Sequence, residues 1–328
     1  MPPSVGPVKT SGALLCATAA AVLGASVPIS RSILDYPTLT GQALRYALAA
    51  VALGLLVSLL FSRAAAPWPG RRDLLRLAAL AATGLAGFNV CLLAALRHAD
   101  PATVGTVVGA TPLLLAVLGP VLQRRRPSAR IVAAATVVVF GAALVEGGGH
   151  TSALGLAYSV GALAGEAAFS LLAAPLLPRL GPVRVSAWSC ACAVPMLLAG
   201  AVATGEPARW RLPHPGELAA LVHLGVVLTA LAFIAWYAGL ARLGVERAGM
   251  CFGLMPVATL AATGLLDARM PPPAQIAGVL LVGAGLATGL RSPLPLDGPD
   301  GVGISQGRLA ERPLGVQTVG SGGRDDSQ

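Results

Sequence analysis

Residues 103–127 read TVGTVVGATPLLLAVLGPVLQRRRP, and residues 247–271 read RAGMCFGLMPVATLAATGLLDARMP. Laid over each other at an offset of 144, they share a Gly-xxx-Gly-xx-Pro element in which Gly105, Gly109 and Pro112 meet Gly249, Gly253 and Pro256. The same frame, without gaps, pairs Pro127 with Pro271, Leu96 with Leu240 and Gly141 with Gly285. In a chain with 40 Gly and 26 Pro, one or two matches mean little, but this set in one frame marks an internal repeat.

Around these stretches the chain divides into long apolar runs. Of its 328 residues, 55% are apolar and only 11% charged, and the mean hydropathy is +0.75. Soluble domains carry about 25% charged residues, and a soluble chain this long would need more polar surface to cover its core. Ten runs are long enough to cross a bilayer, which takes about 20 apolar residues. They are 11–31, 38–61, 75–96, 103–123, 130–147, 153–176, 184–204, 218–239, 247–267 and 275–291. Breakers separate them, among them Asp100-Pro101, Gly147-Gly148-Gly149, Gly181-Pro182 and Pro271-Pro272-Pro273. The runs are too long and too evenly apolar for the alternating strands of a barrel. The expectation is an all-α polytopic membrane protein of ten transmembrane helices.

The repeat divides the chain into units of five helices, 11–147 and 153–291, flanked by a cytoplasmic N-terminus (1–10) and a disordered cytoplasmic tail (292–328). Five is odd, so the second unit crosses the membrane in the opposite sense. Such an inverted-topology repeat is the usual architecture of secondary transporters, whose halves exchange conformations to give alternating access.

Charge sets the orientation. The formal net charge is +9 and the pI near 10.2. With the N-terminus inside, 14 Lys and Arg fall in the inner turns, including Arg71, Arg72 and the Arg124-Arg125-Arg126 cluster. Only Arg31, Arg97, Arg209, Arg211 and Arg269 fall outside. That bias places both termini in the cytoplasm. The arginines flank helices, which argues against nucleic acid as the partner of this basic chain. The five cysteines are scattered through apolar runs with no metal or disulfide spacing. No GxxxxGK[ST], HExxH or GxSxG occurs, so neither ATP-driven pumping nor a hydrolase is indicated. Gly301-Val302-Gly303 has no strand or helix around it to make a nucleotide loop. No cofactor and no metal are expected.

Over residues 11–291 the sequence resembles the EamA-like ten-helix members of the drug/metabolite transporter superfamily. Arg45-Tyr46, Gly109-xx-Pro112, Gly253-xx-Pro256, Gln275-Ile276-Ala277-Gly278 and Gly285 carry the resemblance. Where that family commonly has a glutamate before helices five and ten, this chain has Gln123-Arg124-Arg125-Arg126-Pro127 and Leu266-Asp267-Ala268-Arg269-Met270. The resemblance implies export or exchange of small metabolites, amino acids or drugs across the plasma membrane.

Ionisable groups inside a bilayer are costly and mark function by default. Arg45 lies roughly 10 Å inside the second helix at 1.5 Å per residue, where its guanidinium could hold a carboxylate. Glu166, deep in the sixth helix, is the acid expected nearest the bilayer centre, suited to carrying a proton or binding an amine. Alternatively the two pair with each other. Asn89, Trp236 and Tyr237 are uncharged candidates for lining a cavity. Gly105, Gly109, Gly249 and Gly253 let helices approach closely, with Pro112 and Pro256 supplying kinks at which the fourth and ninth helices could pivot. The expected partners are a small-molecule substrate, a proton as coupling ion and the lipid bilayer, with a homodimer left open. A non-transporting scaffold or receptor, a channel and a membrane-embedded enzyme are the alternatives to a carrier.

Overall fold

The computed structural model describes residues 7–33, 35–60, 68–267 and 271–291. The tail at 292–328, with Gly301-Val302-Gly303, and Arg63 and Arg269 of the turns lie outside the described residues. The described residues contain ten helices long and apolar enough to span a bilayer. Spans 1 to 5 are Thr10–Ser30, Thr38–Leu60, Arg71–Ala95, Pro101–Leu122 and Ala129–Glu146. Spans 6 to 10 are Ala153–Ala173, Leu177–Ala203, Pro215–Leu243, Val245–Leu266 and Pro273–Leu290. Extended pairing among the described residues is limited to one bridge between Ala99 and Thr151. The chain thus folds as an all-α polytopic protein of two five-helix repeats in inverted topology. The start of span 1 and the end of span 10 share one face, here the terminal face; the other is the far face.

Glycine and proline decide where spans stop. Gly147, at φ 84°, ends span 5, and Gly244, at φ 79°, is the single residue between spans 8 and 9. Both conformations are strained for a residue with a Cβ. Span 7 starts at Leu177, earlier than its apolar run, but its regular helix begins only after Gly181, at φ 73° and ψ 165°. Pro182 follows, and proline disfavours helix at the residue before it.

The packing repeats with the sequence. Span 1 lies against spans 8 and 9, and span 6 lies against spans 3 and 4. Span 2 packs on span 7, and span 5 on span 10. Exchanging the halves maps each of these pairs onto another pair or onto itself. At the span 5–span 10 seam the backbones nearly touch: a Cβ on Gly141 would lie 2.8 Å from the Gly278 carbonyl oxygen and the Val282 nitrogen. A Cβ on Gly285 would meet the Ala134 carbonyl and the Val138 nitrogen at 3.0 Å. With lipid as apolar as the side chains, close packing rather than water exclusion holds such helices together.

Irregular helix recurs at the same offset. Span 3 widens to π-helix over Ala81–Gly87, and span 8 does so over Leu224–Leu231. Span 4 breaks at Gly109-Ala110, and span 9 tightens to a 3-10 turn over Cys251–Gly253. Asp73 and Glu217, also 144 apart, open spans 3 and 8 in the same way. Asp73 accepts the Gly70 N–H at 3.1 Å and pairs with Arg179 at 2.7 Å. Glu217 accepts the His214 N–H at 2.8 Å and grips Arg211 through contacts of 2.6 and 2.5 Å. A carboxylate at a helix N-terminus satisfies orphan donors and complements the dipole.

Span 2 takes its cap from elsewhere. Buried Glu206, in the turn between spans 7 and 8, accepts the Leu39 and Thr40 N–H groups at 2.9 and 2.8 Å and the Thr40 hydroxyl at 2.8 Å. Burial alone would raise its pKa, but these three bonds and the Arg209 charge together hold it below the ordinary 4.5.

Two outcomes follow for stability in detergent, read as melting of the chromatographic monomer peak. Gly141→Leu should destabilise by at least about 1–3 kcal/mol through overpacking, whereas Gly283→Ala, which meets nothing within 4 Å, should be neutral. Glu206→Gln should melt below the native protein at pH 7. Because the folded carboxyl titrates below its ordinary value, its stabilisation is whole at neutral pH and is lost as pH falls past that value. The gap between the two proteins should therefore close in acid; a gap independent of pH would exclude the charged cap as its source.

Candidate functional site

A cavity of about 590 Å³ lies between the two halves. Its walls come from spans 1 to 6 and 8 to 10. Ser30, Leu96, Pro101, Glu146 and Gln275 line its upper part, within a turn of the far face. Ala19, Gly84, Thr111, Phe169, Trp236 and Phe252 line its depth. On the terminal side the helices are in contact. A Cβ on Gly249 would lie 2.9 Å from Leu115, and one on Gly119 would lie 3.4 to 3.5 Å from Val245 and Glu246. Glu246 is also bridged to Arg125 at 3.3 Å. Span 1 seals against span 8, where a Cβ on Gly12 would lie 3.0 Å from Arg242 and Leu243. The chamber therefore opens to the far face and is shut toward the terminal face.

Arg45 reaches the cavity from span 2 and Glu166 from span 6, so one charge comes from each half. They do not pair with each other. Arg45 donates through Nε to Thr229 Oγ1 at 2.7 Å and through Nη1 to Gln42 Oε1 at 3.2 Å, and its guanidinium lies 5.2 Å from the centre of the Tyr46 ring. Thr229 can accept because its own hydroxyl proton goes to the Leu224 carbonyl at 2.8 Å, across the π-helical turn. Those bonds leave Arg45 with unused donor capacity. Among the described residues Glu166 has neither a hydrogen bond nor an ion pair, and it lines the same cavity as Arg45.

The uncharged candidates separate. Asn89 lines the cavity and donates through Nδ2 to the Leu85 carbonyl at 2.7 Å and to the Tyr46 hydroxyl at 3.2 Å. Trp236 lines it as well, its indole donating to Ser170 Oγ at 3.1 Å and its ring centroid 4.1 Å from that of Phe252. Tyr237 does not reach it. The next residue on a helix points about 100° away, and Tyr237 is fully buried against Phe169, ring centres 4.9 Å apart. Of the glycine and proline set, Gly105, Gly109 and Pro256 line the cavity, while Pro112, Gly249 and Gly253 are packed behind it.

Several wall residues escaped the sequence reading. Phe169, Phe233 and Phe252 join the expected Trp236 in an aromatic side, with Phe169 and Phe233 4.7 Å apart. Single aromatics in apolar runs give no signal of where they face. Glu146 is a second acid on the wall. As the last residue of span 5, it reads in sequence as the polar end of an apolar run. Gln275 lines the cavity opposite the end of span 5 and donates to the Val145 carbonyl at 3.0 Å. The described residues contain no cluster of His, Cys, Asp and Glu able to hold a metal.

Comparison with known proteins places this architecture. The model of the EamA-like transporter family matches residues 10–146 and again residues 153–289. The chain is 30% identical over 239 residues to the "Uncharacterized transporter YdeK" of Bacillus subtilis, covering 72% of this chain and 81% of that protein. It is 27% identical over 220 residues to the "Probable terminal-alkyne amino-acid exporter" of Streptantibioticus cattleyicolor, covering 66% and 73%. A solved structure titled "Crystal structure of protein" shares the fold, with a TM-score of 0.71 at 22% identity, over 85% of this chain and 97% of that one. Ten spans, a duplicated unit and a family match to each half agree: the chain belongs to the EamA-like transporter family and is a multi-pass membrane transporter.

Proposed function

We propose that the protein is a secondary carrier that exports a small zwitterionic metabolite, of the size and chemistry of an amino acid, across the plasma membrane by alternating access. One observation carries the substrate class: one chamber holds Arg45 and Glu166, one from each half, unpaired with each other and beside an aromatic wall. A carboxylate has a donor in Arg45, an ammonium has an acceptor in Glu166, and an apolar side chain has Phe169, Phe233 and Trp236. An amino-acid exporter among the relatives supports the same class. The bias of Lys and Arg toward the terminal face supports both termini in the cytoplasm, which makes this an outward-open state. Glu166, lacking a partner, is the proposed carrier of a coupling proton once the solute has left.

Flux in proteoliposomes tests this. The panel is a set of amino acids and related metabolites, each followed with and without an imposed pH gradient. Saturable, gradient-driven movement of a zwitterion that stops responding to the gradient in Glu166→Gln is the expected result. Arg45→Gln should weaken half-saturation about 10- to 100-fold, the cost of one charged hydrogen bond of roughly 1.5–3 kcal/mol. No flux of any compound by protein shown to be folded would overturn the proposal and favour a scaffold or receptor.

A further inference from the structure

The repeat and the present contacts together specify a conformation not seen here. Among the contacts by which spans 4 and 9 meet on the terminal side are Leu115 in the notch at Gly249 and Gly119 against Val245. If the halves exchange conformations, every contact moves by the repeat offset of 144 to the other half. Leu115 becomes Thr259 and Gly249 becomes Gly105, while Gly119 becomes Thr263 and Val245 becomes Pro101. All four of these residues line the open cavity on the far side. The surfaces that the symmetry requires to meet are thus the walls now held apart.

One of them is occupied. At Gly105 an added Cβ would lie 2.7 Å from Cδ and Oε2 of Glu146 and 2.9 Å from Oε1. The carboxyl of span 5 fills the notch in span 4, and among the described residues it has no hydrogen bond or ion pair. The equivalent notch at Gly249 is filled by Leu115, the residue that closes the terminal side. We infer that Gly105 is the socket of the far-side gate, entered by Glu146 when that side is open and by Thr259 when it is closed, so that Glu146 is a wedge setting the balance between the two states. This rests on the carrier proposal. It adds a positioning residue outside the charged pair that holds the solute.

Cysteine cross-linking of the full chain in proteoliposomes, with Cys16, Cys91, Cys190, Cys192 and Cys251 replaced, tests it. Gly119→Cys with Val245→Cys reports terminal-side closure: an added Cβ at Gly119 lies 3.5 Å from Val245 Cβ, within the range of a disulfide of about 3.5–4.5 Å. Pro101→Cys with Thr263→Cys reports far-side closure. Each pair should cross-link in active protein, and each cross-link should stop flux until reduced. Glu146→Ala, which empties the socket, should speed the Pro101–Thr263 cross-link several-fold and slow the Gly119–Val245 one. Gly105→Ala, which fills it, should do the reverse. Active protein in which the Pro101–Thr263 pair never cross-links would refute the gate. Cross-linking unmoved by both Glu146→Ala and Gly105→Ala would refute the wedge. Failure of the carrier proposal looks different, since no solute would then move even through protein that bears neither cysteine pair.

Discussion

Inside hydrocarbon, a backbone amide or carbonyl without an internal partner costs several kcal/mol. This constraint organises the chamber. At several places where a span leaves regular helix, a side chain donates to a backbone carbonyl. Pro112 has no N–H to give to Val108, and the Thr111 hydroxyl donates to that carbonyl at 2.6 Å instead. In the widened turns, Thr229 donates to Leu224 and Asn89 to Leu85. At the end of span 5, Gln275 serves Val145. Three of these repairing residues, Thr111, Asn89 and Gln275, line the cavity, and the fourth holds Arg45. A membrane protein that bends its helices to make room for a solute thereby brings polar groups to the space it opens.

The architecture was legible because it is written twice. The paired Gly-xxx-Gly-xx-Pro elements gave the repeat, and an odd number of spans per unit gave its inversion. The structure added the widened turns at the same offset and the matching caps of Asp73 and Glu217. Those caps differ in residue type, so identity matching passes over them. The chamber was less legible. Arg45 and Glu166 stood out because charge is rare in a span, and both reach the cavity. Glu146 did not, because a carboxylate ending an apolar run looks like a boundary. Trp236 and Tyr237 were indistinguishable in sequence, yet one faces the cavity and the other the core. Facing depends on helix rotation, which neighbouring spans set and a continuously apolar run does not encode.

Symmetry of fold does not extend to the chemistry. At the repeat offset, Arg45 corresponds to Ser189, Glu166 to Val22 and Asn89 to Phe233. Backbone devices are duplicated and these polar cavity-facing groups are not. On the proposed carrier reading the two kinds of position answer to different demands: one works identically on either side of the membrane, the other holds a single solute.

The helix pairing also bears on descent. Spans 2 and 7, and spans 5 and 10, are pairs that exchange of the halves maps onto themselves, as isologous contacts do in a two-fold homodimer. A five-span ancestor could have made them only with a sister copy inserted upside down, which requires a polypeptide with no strong preference for either orientation. Two copies that differ in sequence carry no such requirement. Each half can hold arginines in its own turns, and the present bias across the ten spans fits halves fixed in opposite orientations.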